Sequence, residues 1–273
     1  MVLSFLLFLS WGSFAEVIQK ESLTLSGVFT QGGVVRGTLP PESEVSFGGR
    51  KLTLTPNGHF VFGFGRDEVS EAVLSWRIPG GLTKQLQLSI TPRDYPTQRV
   101  DGVPQNTVTP SEDKLARIRN ETALVKNARK QHSMQEYFEQ AFIQPLIGPK
   151  TGVYGSRRIY NGVPKRPHYG VDYAAAVGTL VKAPADATVS LVHDDMYYSG
   201  GTLIMDHGYG LSSTFIHLSE VLVKEGQAVK QGEYVAKVGA GGRSTGPHLD
   251  WRLNWFEVRL DPELILQLEK TKK

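Results

Sequence analysis

Between residues 16 and 93, apolar side chains recur at every second position over short runs. Leu23 and Leu25, Val45 and Phe47, Leu52 and Leu54, Phe60 and Phe62, Leu74 and Trp76, and Leu86 and Leu88 are separated by polar neighbours. A period of two places one side of an extended chain against a core and the other toward water. Gly32-Gly33, Gly48-Gly49, Pro56-Asn57-Gly58 and Pro79-Gly80-Gly81 punctuate the runs. Many short strands joined by turn residues predict a small β-sandwich or barrel over 16–93. Nothing there carries chemistry, and His59, beside Asn57-Gly58, reads as an exposed turn-flanking residue.

The pattern then changes twice. Prolines 92, 96, 104 and 110 with few large apolar residues predict an extended arm. A helix is expected to follow, with Thr109 as N-cap, Pro110 at its first position and Glu112 completing a capping box. Leu115, Ile118, Thr122, Val125 and Ala128 fall on one face, and the helical pattern extends, with a break, to Phe142. His132 has no ligand at useful spacing and reads as structural. Short strands return over 146–262: Leu180-Val181, Val189–Val192, Leu203–Met205, Ser213–Ile216, Val235–Val238 and Leu249–Leu253. The expected organisation is a mainly β chain: a leader over 1–15, an N-terminal β-sandwich or barrel over 16–93, a proline-rich linker with its helix over 94–145, an antiparallel β-sheet domain over 146–262 and a charged tail over 263–273.

Composition narrows the chemistry. A chain of 273 residues, 40% hydrophobic and 21% charged, is globular and long enough for one or two domains. Without cysteine, any metal must be held by His, Asp or Glu. A net charge of +3 and a pI near 8.9 suit an anionic polymer such as cell-wall material but are too weak and dispersed for nucleic acid. The apolar run Val2–Trp11 followed by Ser13-Phe14-Ala15 has the small-residue pattern of a secretory cleavage site, although no Lys or Arg precedes it. Export is the expectation.

Two stretches carry chemistry. In an extended Pro167-His168-Tyr169-Gly170-Val171-Asp172, His168 and Asp172 point one way with glycine between them. In Gly246-Pro247-His248-Leu249-Asp250-Trp251, His248 and Asp250 share a face while Leu249 and Trp251 take the buried side. Two strands presenting nitrogen and oxygen donors on one face can build a three-ligand zinc site with an open position. Alone, His168 with Asp172 reads as an ordinary hydrogen-bonded pair, His248 with Asp250 as a surface pair, and His217 as a core or turn histidine. His207 reads as structural or groove-lining, His193 as a loop residue. The loops Asp194–Gly200 and Gly239–Gly246, with Tyr197, Tyr198 and Arg243, are candidate substrate contacts.

Pro167–Ala174 resembles the first zinc motif, HxxxD, of the LytM/lysostaphin-type zinc endopeptidases. Gly246–Trp251 resembles their second motif, HxH, and His217 in Phe215-Ile216-His217-Leu218-Ser219 matches a further active-site histidine. Residues 23–66 are similar to the N-terminal β domain of some Gram-negative members. The resemblance implies a peptidoglycan endopeptidase with one zinc, or another divalent ion such as manganese, held by His168, Asp172 and Asp250. It implies His217 and His248 as catalytic imidazoles beside the metal's water, one taking its proton and one assisting the oxyanion or leaving amine. A Gram-negative periplasm, a monomer, no membrane span after leader removal, and a cell-wall amidase or the division complex as candidate partner follow from the same likeness. Asp250 stands where the family has histidine. Aspartate is shorter, and a second carboxylate should make metal-bound water less acidic and lower activity. Two readings therefore stand: a working hydrolase, with activity reduced or lost through Asp250, or a degenerate non-catalytic module that binds peptidoglycan or activates an amidase. A lipoyl-type carrier, suggested by Val223–Gln227, lacks an attachment lysine. The N-terminal β domain and its proline-rich arm are expected to cover the groove and restrain activity until displaced.

Overall fold

The computed structural model describes residues 15–130 and 133–268. The expected leader up to Phe14, His132, and the charged tail from Glu269 lie outside the described residues. The alternating stretches form strands β1 (Glu16–Lys20), β2 (Leu23–Gly27), β3 (Val34–Thr38), β4 (Glu44–Phe47), β5 (Arg50–Leu52), β6 (His59–Gly63), β7 (Glu71–Arg77) and β8 (Lys84–Ser89). They make two antiparallel four-stranded sheets, β1-β2-β3-β6 and β5-β4-β7-β8. The period-two residues Leu23, Leu25, Phe60 and Phe62 from one, and Phe47, Leu74 and Trp76 from the other, are buried. Phe47 meets Phe62 with ring centroids 4.7 Å apart.

The later strands are β9 (Thr97–Val100), β10 (Lys150–Gly152), β11 (Arg157–Tyr160), β12 (Val163–Lys165), β13 (Val171–Ala174), β14 (Leu180–Lys182), β15 (Ala187–Met196) and β16 (Gly200–Asp206). β17 (Leu211–Val221), β18 (Ala228–Val229), β19 (Tyr234–Val238), β20 (His248–Trp255) and β21 (Val258–Leu260) follow. Ten of them form one sheet along β10-β13-β20-β17-β16-β15-β18, with β19 and β14 attached beside β17 and β21 beside β20. The nearly continuous apolar β16 (Gly200–Asp206) is wholly buried, as expected of a strand covered on both faces. A separate sheet joins the arm to the hairpin ahead of the first motif: β9 runs parallel to β11, which pairs with β12 through the Asn161-Gly162 turn. Both turn residues have positive φ, 47° and 81°, the conformation that such tight hairpins require.

One core runs through both halves. Phe47, Phe62 and Phe64 belong to the same apolar cluster as Phe215, Trp251, Leu253, Trp255 and Leu260. Phe47 lies 6.5 Å from Trp255, ring to ring. The arm adds a tie: Arg93 Nη1 donates to the buried Asp261 Oδ2 at 2.8 Å. His59 is half-buried, and its Nδ1 lies 2.6 Å from Glu139 Oε2, so it joins the two halves rather than only flanking a turn.

Among the described residues the helices are short or peripheral: α1 (Gln105–Val108), α2 (Glu112–Lys130) and α3 (Pro262–Ile265). α2 has Glu112 and Asp113 in its first turn and Arg129 and Lys130 in its last, which complements the helix dipole. Its inward line is Ile118, Glu121, Val125 and Ala128, while Leu115 and Thr122 remain exposed. Beyond Lys130 the described chain holds only the single 3-10 turn Glu136–Glu139 before Phe142. Among the described residues no helix is long and apolar enough to cross a membrane.

Candidate active site

β20 (His248–Trp255) supplies the frame. Leu249, Trp251 and Leu253 are fully buried on its core side, so His248, Asp250 and Arg252 point the other way. β13 pairs with it in a register that sets Asp172 directly opposite Asp250 and Ala174 opposite His248. Two carboxylates facing each other across strands repel. Each is compensated by its own arginine. Arg158 Nη2 donates to Asp172 Oδ2 at 3.1 Å, and Arg252 grips Asp250 through Nε to Oδ1 at 3.0 Å and Nη2 to Oδ2 at 2.6 Å. Gly170 is required here, because a Cβ would lie 2.3 Å from Asp250 Oδ1.

His168 precedes β13 instead of lying within a strand, contrary to the extended reading of its motif. Its backbone N–H donates to Ser156 and its carbonyl accepts from Gly155, which pins the ring over the carboxylates. Nε2 then sits 3.1 Å from Asp172 Oδ1, and Nδ1 sits 3.9 Å from Asp250 Oδ2. Burial raises the pKa of Asp172, but His168 outweighs it and the carboxyl is held below its ordinary range. Burial likewise opposes ionisation of Asp250, and Arg252, followed by His168, overcomes it.

His217 and His248 form a pair, ring centroids 4.7 Å apart. His217 holds φ at +64°, a strained value for a residue with a side chain, and its backbone N–H donates to Ser199 at 2.7 Å. Its Nδ1 lies 2.7 Å from the Gly241 carbonyl, and His248 Nδ1 lies 2.8 Å from the Gly246 carbonyl. A carbonyl can only accept, so each ring places a proton on Nδ1, which leaves Nε2 as the atom that exchanges a proton. Burial, with His248 beside it, lowers the pKa of His217 to about 4. It is neutral at pH 7.

The donor set fits a divalent cation. One atom each of His168, Asp172 and Asp250 lie within 4.8 Å of one another. Two of the buried atoms concerned, His168 Nε2 and Asp172 Oδ1, have no hydrogen-bond partner. Their 3.1 Å separation is close to the roughly 3.4 Å between ligands around tetrahedral zinc. Asp250 is already engaged by Arg252, yet each carboxylate oxygen has two lone pairs and can serve both. Arg252 and Arg158 were missed in the sequence. The 250/252 spacing, which puts both residues on one strand face, was the available signal for the first.

The face bearing the site is roofed. Register places Ile216 beside Asp250, Thr214 beside Arg252, Ile204 beside Thr214 and Leu191 beside Ile204, all on that face. α2 lies on it: Ala128 packs with Leu191, Met196 and Ile204, and Arg129 Nη2 donates to Thr214 Oγ1 at 3.0 Å. The arm crosses between the walls. Asn161 and Lys165 of the hairpin donate to the carbonyls of Val103 and Val108, and Tyr197 of the opposite loop donates to the carbonyl of Asn106. Val103 and Val108 are buried by this crossing. His207 stands apart from the site. Trp251 Nε1 donates to Ser213 Oγ, Ser213 donates to His207 Nε2, and His207 Nδ1 donates to the Asp186 carbonyl.

Residues 166–262 match the model of Peptidase family M23. An uncharacterized metalloprotease of Haemophilus influenzae is 45% identical over 89 residues, 33% of this chain and 19% of that protein. The peptidoglycan DD-endopeptidase ShyB of Vibrio cholerae is 39% identical over 87 residues, 32% of this chain and 20% of that protein. The chain thus spans about a fifth of the length of these curated relatives. A Pseudomonas aeruginosa crystal structure described as a peptidase M23 superposes with a TM-score of 0.69 at 28% identity, over 88% of this chain and 96% of that one.

Proposed function

We propose that the protein, whose residues 166–262 match the model of Peptidase family M23, is a metal-dependent endopeptidase of bacterial peptidoglycan, acting on its peptide cross-links or stems. One observation carries the reading: the orphaned His168 Nε2 and Asp172 Oδ1 converge with Asp250 on the face where His217 and His248 keep free Nε2 atoms. The Vibrio cholerae relative's name, a peptidoglycan DD-endopeptidase, supports the substrate class.

His168, Asp172 and Asp250 would hold the ion, zinc or another divalent cation. A cation there supplies Lewis-acid polarisation of the scissile carbonyl and a water acidic enough to react near neutral pH. Arg158 and Arg252 fix the two carboxylates and cancel their charge, which offsets the loss of water acidity expected from a second aspartate. His248, less buried than His217, accepts a proton on Nε2. His217, held neutral by burial with its Nδ1–H donated to the Gly241 carbonyl, offers Nε2 as a second acceptor beside it, and His248, once protonated, can return the proton to the leaving amine. A periplasmic, monomeric protein meeting peptidoglycan after export completes the reading.

A second reading has its own support. Arg252 occupies both oxygens of Asp250 and the arm roofs the face, as would suit a non-catalytic module that binds peptidoglycan or activates an amidase. Muropeptide analysis of sacculi separates the two. The full chain, and the full chain carrying Val108→Asp to expel the arm, are incubated with added zinc or with chelator. Chelator-sensitive products cut at a peptide bond, abolished by Asp172→Asn, are expected. No products from either chain would leave the non-catalytic module.

A further inference from the structure

Arg243 is a charged group beside the site that the proposed chemistry does not use. It lies in the loop between Gly241, whose carbonyl holds His217, and Ser244, whose hydroxyl is 3.3 Å from His248 Nδ1. Its guanidinium carbon lies over the rings of two tyrosines, Cζ 4.7 Å from Tyr160 and 4.8 Å from Tyr198. Cation–π stacking uses the two faces of a guanidinium and leaves its in-plane N–H donors at the edge. Among the described residues no acceptor takes those donors, and only the backbone N–H of Arg243 is bonded, to the Tyr198 carbonyl.

The surrounding charges point to the missing partner. Arg158 and Arg252 lie close enough to repel Arg243. The two carboxylates of the cluster, Asp172 and Asp250, are each already held by their own arginine. A planar fork with its faces fixed and its edge free matches a carboxylate, which it can bind with two parallel hydrogen bonds. We propose that Arg243, framed by Tyr160 and Tyr198, is a carboxylate-binding subsite beside the catalytic histidines, selecting peptides with a free carboxylate close to the scissile bond. The substrate is thereby an anionic peptide. The inference rests on the endopeptidase reading for the location of the scissile bond, while the subsite itself needs only the Arg243 geometry.

Binding, not turnover, tests it. The full chain and its Val108→Asp form are titrated calorimetrically with a monomeric tetrapeptide muropeptide, once with its free carboxylates and once after amidation of them. The native muropeptide should bind roughly tenfold more tightly than the amidated one, the range of a charge-assisted hydrogen-bonded pair. Arg243→Gln should bring the two within about twofold of each other, and Arg243→Lys should keep part of the difference. A residue that merely braces the tyrosines would weaken both ligands alike. Equal affinities in the starting protein, a preference that survives Arg243→Gln, or no binding of either ligand by the opened chain overturns the subsite. Sacculus cleavage alongside any of these leaves the endopeptidase standing. A carboxylate preference that depends on Arg243, without chelator-sensitive cleavage, keeps the subsite and removes the endopeptidase.

Discussion

Arg252 follows Asp250 by two residues on one strand face, so the pair is built into the sequence of β20. Breaking a buried ion pair from one side strands the other charge. Asp250→Asn and Arg252→Gln should each destabilise by about 3 kcal/mol, and the double variant by clearly less than their sum. Urea unfolding of the four proteins checks this, and strict additivity would show the pair to be uncoupled. It follows that Asp250→His alone, which restores the family's residue, also orphans Arg252 and should lower stability. His207 gives a second expectation. Burial lowers its pKa to about 4, below the ordinary value near 6.5 that the unfolded chain regains. Between these values the unfolded chain binds the extra proton, so stability rises with pH through this window. The contribution is complete above about pH 6.5 and is lost toward pH 4, by up to about 3 kcal/mol. Melting temperatures at pH 7 and pH 5 should diverge less in His207→Gln than in the parent. The five residues His168, Asp172, His217, His248 and Asp250 could be named from two motifs and one flanking histidine. Arg252 could be paired with Asp250 from their spacing, but Arg158 could not be assigned to Asp172, because charge pairing between β11 and β13 depends on tertiary placement.

At the scale of elements, the strand set was legible because period two survives in nearly every buried strand. α2 was less so. Its inward face includes Glu121, whose Oε2 accepts from the Tyr197 backbone at 2.8 Å, and a carboxylate facing inward cannot be anticipated from an apolar stripe. The arm was expected to cover a groove, and it is held across both walls by polar contacts at Asn161, Lys165 and Tyr197. Val108 is 1% exposed, so an aspartate there would bury an unpaired charge at a cost of several kcal/mol and favour the displaced arm. Val108→Asp should raise chelator-sensitive release of muropeptides from sacculi by about tenfold, a change of roughly 1.4 kcal/mol in the population of the open form. Unchanged release would mean that the arm does not limit access.

For the whole molecule, the shared core matters more than the apparent order of segments along the chain. Phe47 from the first β region packs on Trp255 of the last long strand, so removing either half bares apolar surface on the other. Phe47→Ala should cost about 3–5 kcal/mol and lower one common unfolding transition. Two separate calorimetric transitions would argue for independent halves. A fragment beginning at residue 111 should be poorly soluble for the same reason. The arm and α2 are the exception to this unity, since α2 leaves most of its length in water and docks through few apolar side chains. Amide protons of Thr97–Lys130 should therefore exchange with deuterium by local opening, within minutes. Those of β16, β17 and β20 should wait for the entire chain to unfold. The opening of that one segment, which exchange reads without any substrate present, is then the expected clock for exposure of the roofed face.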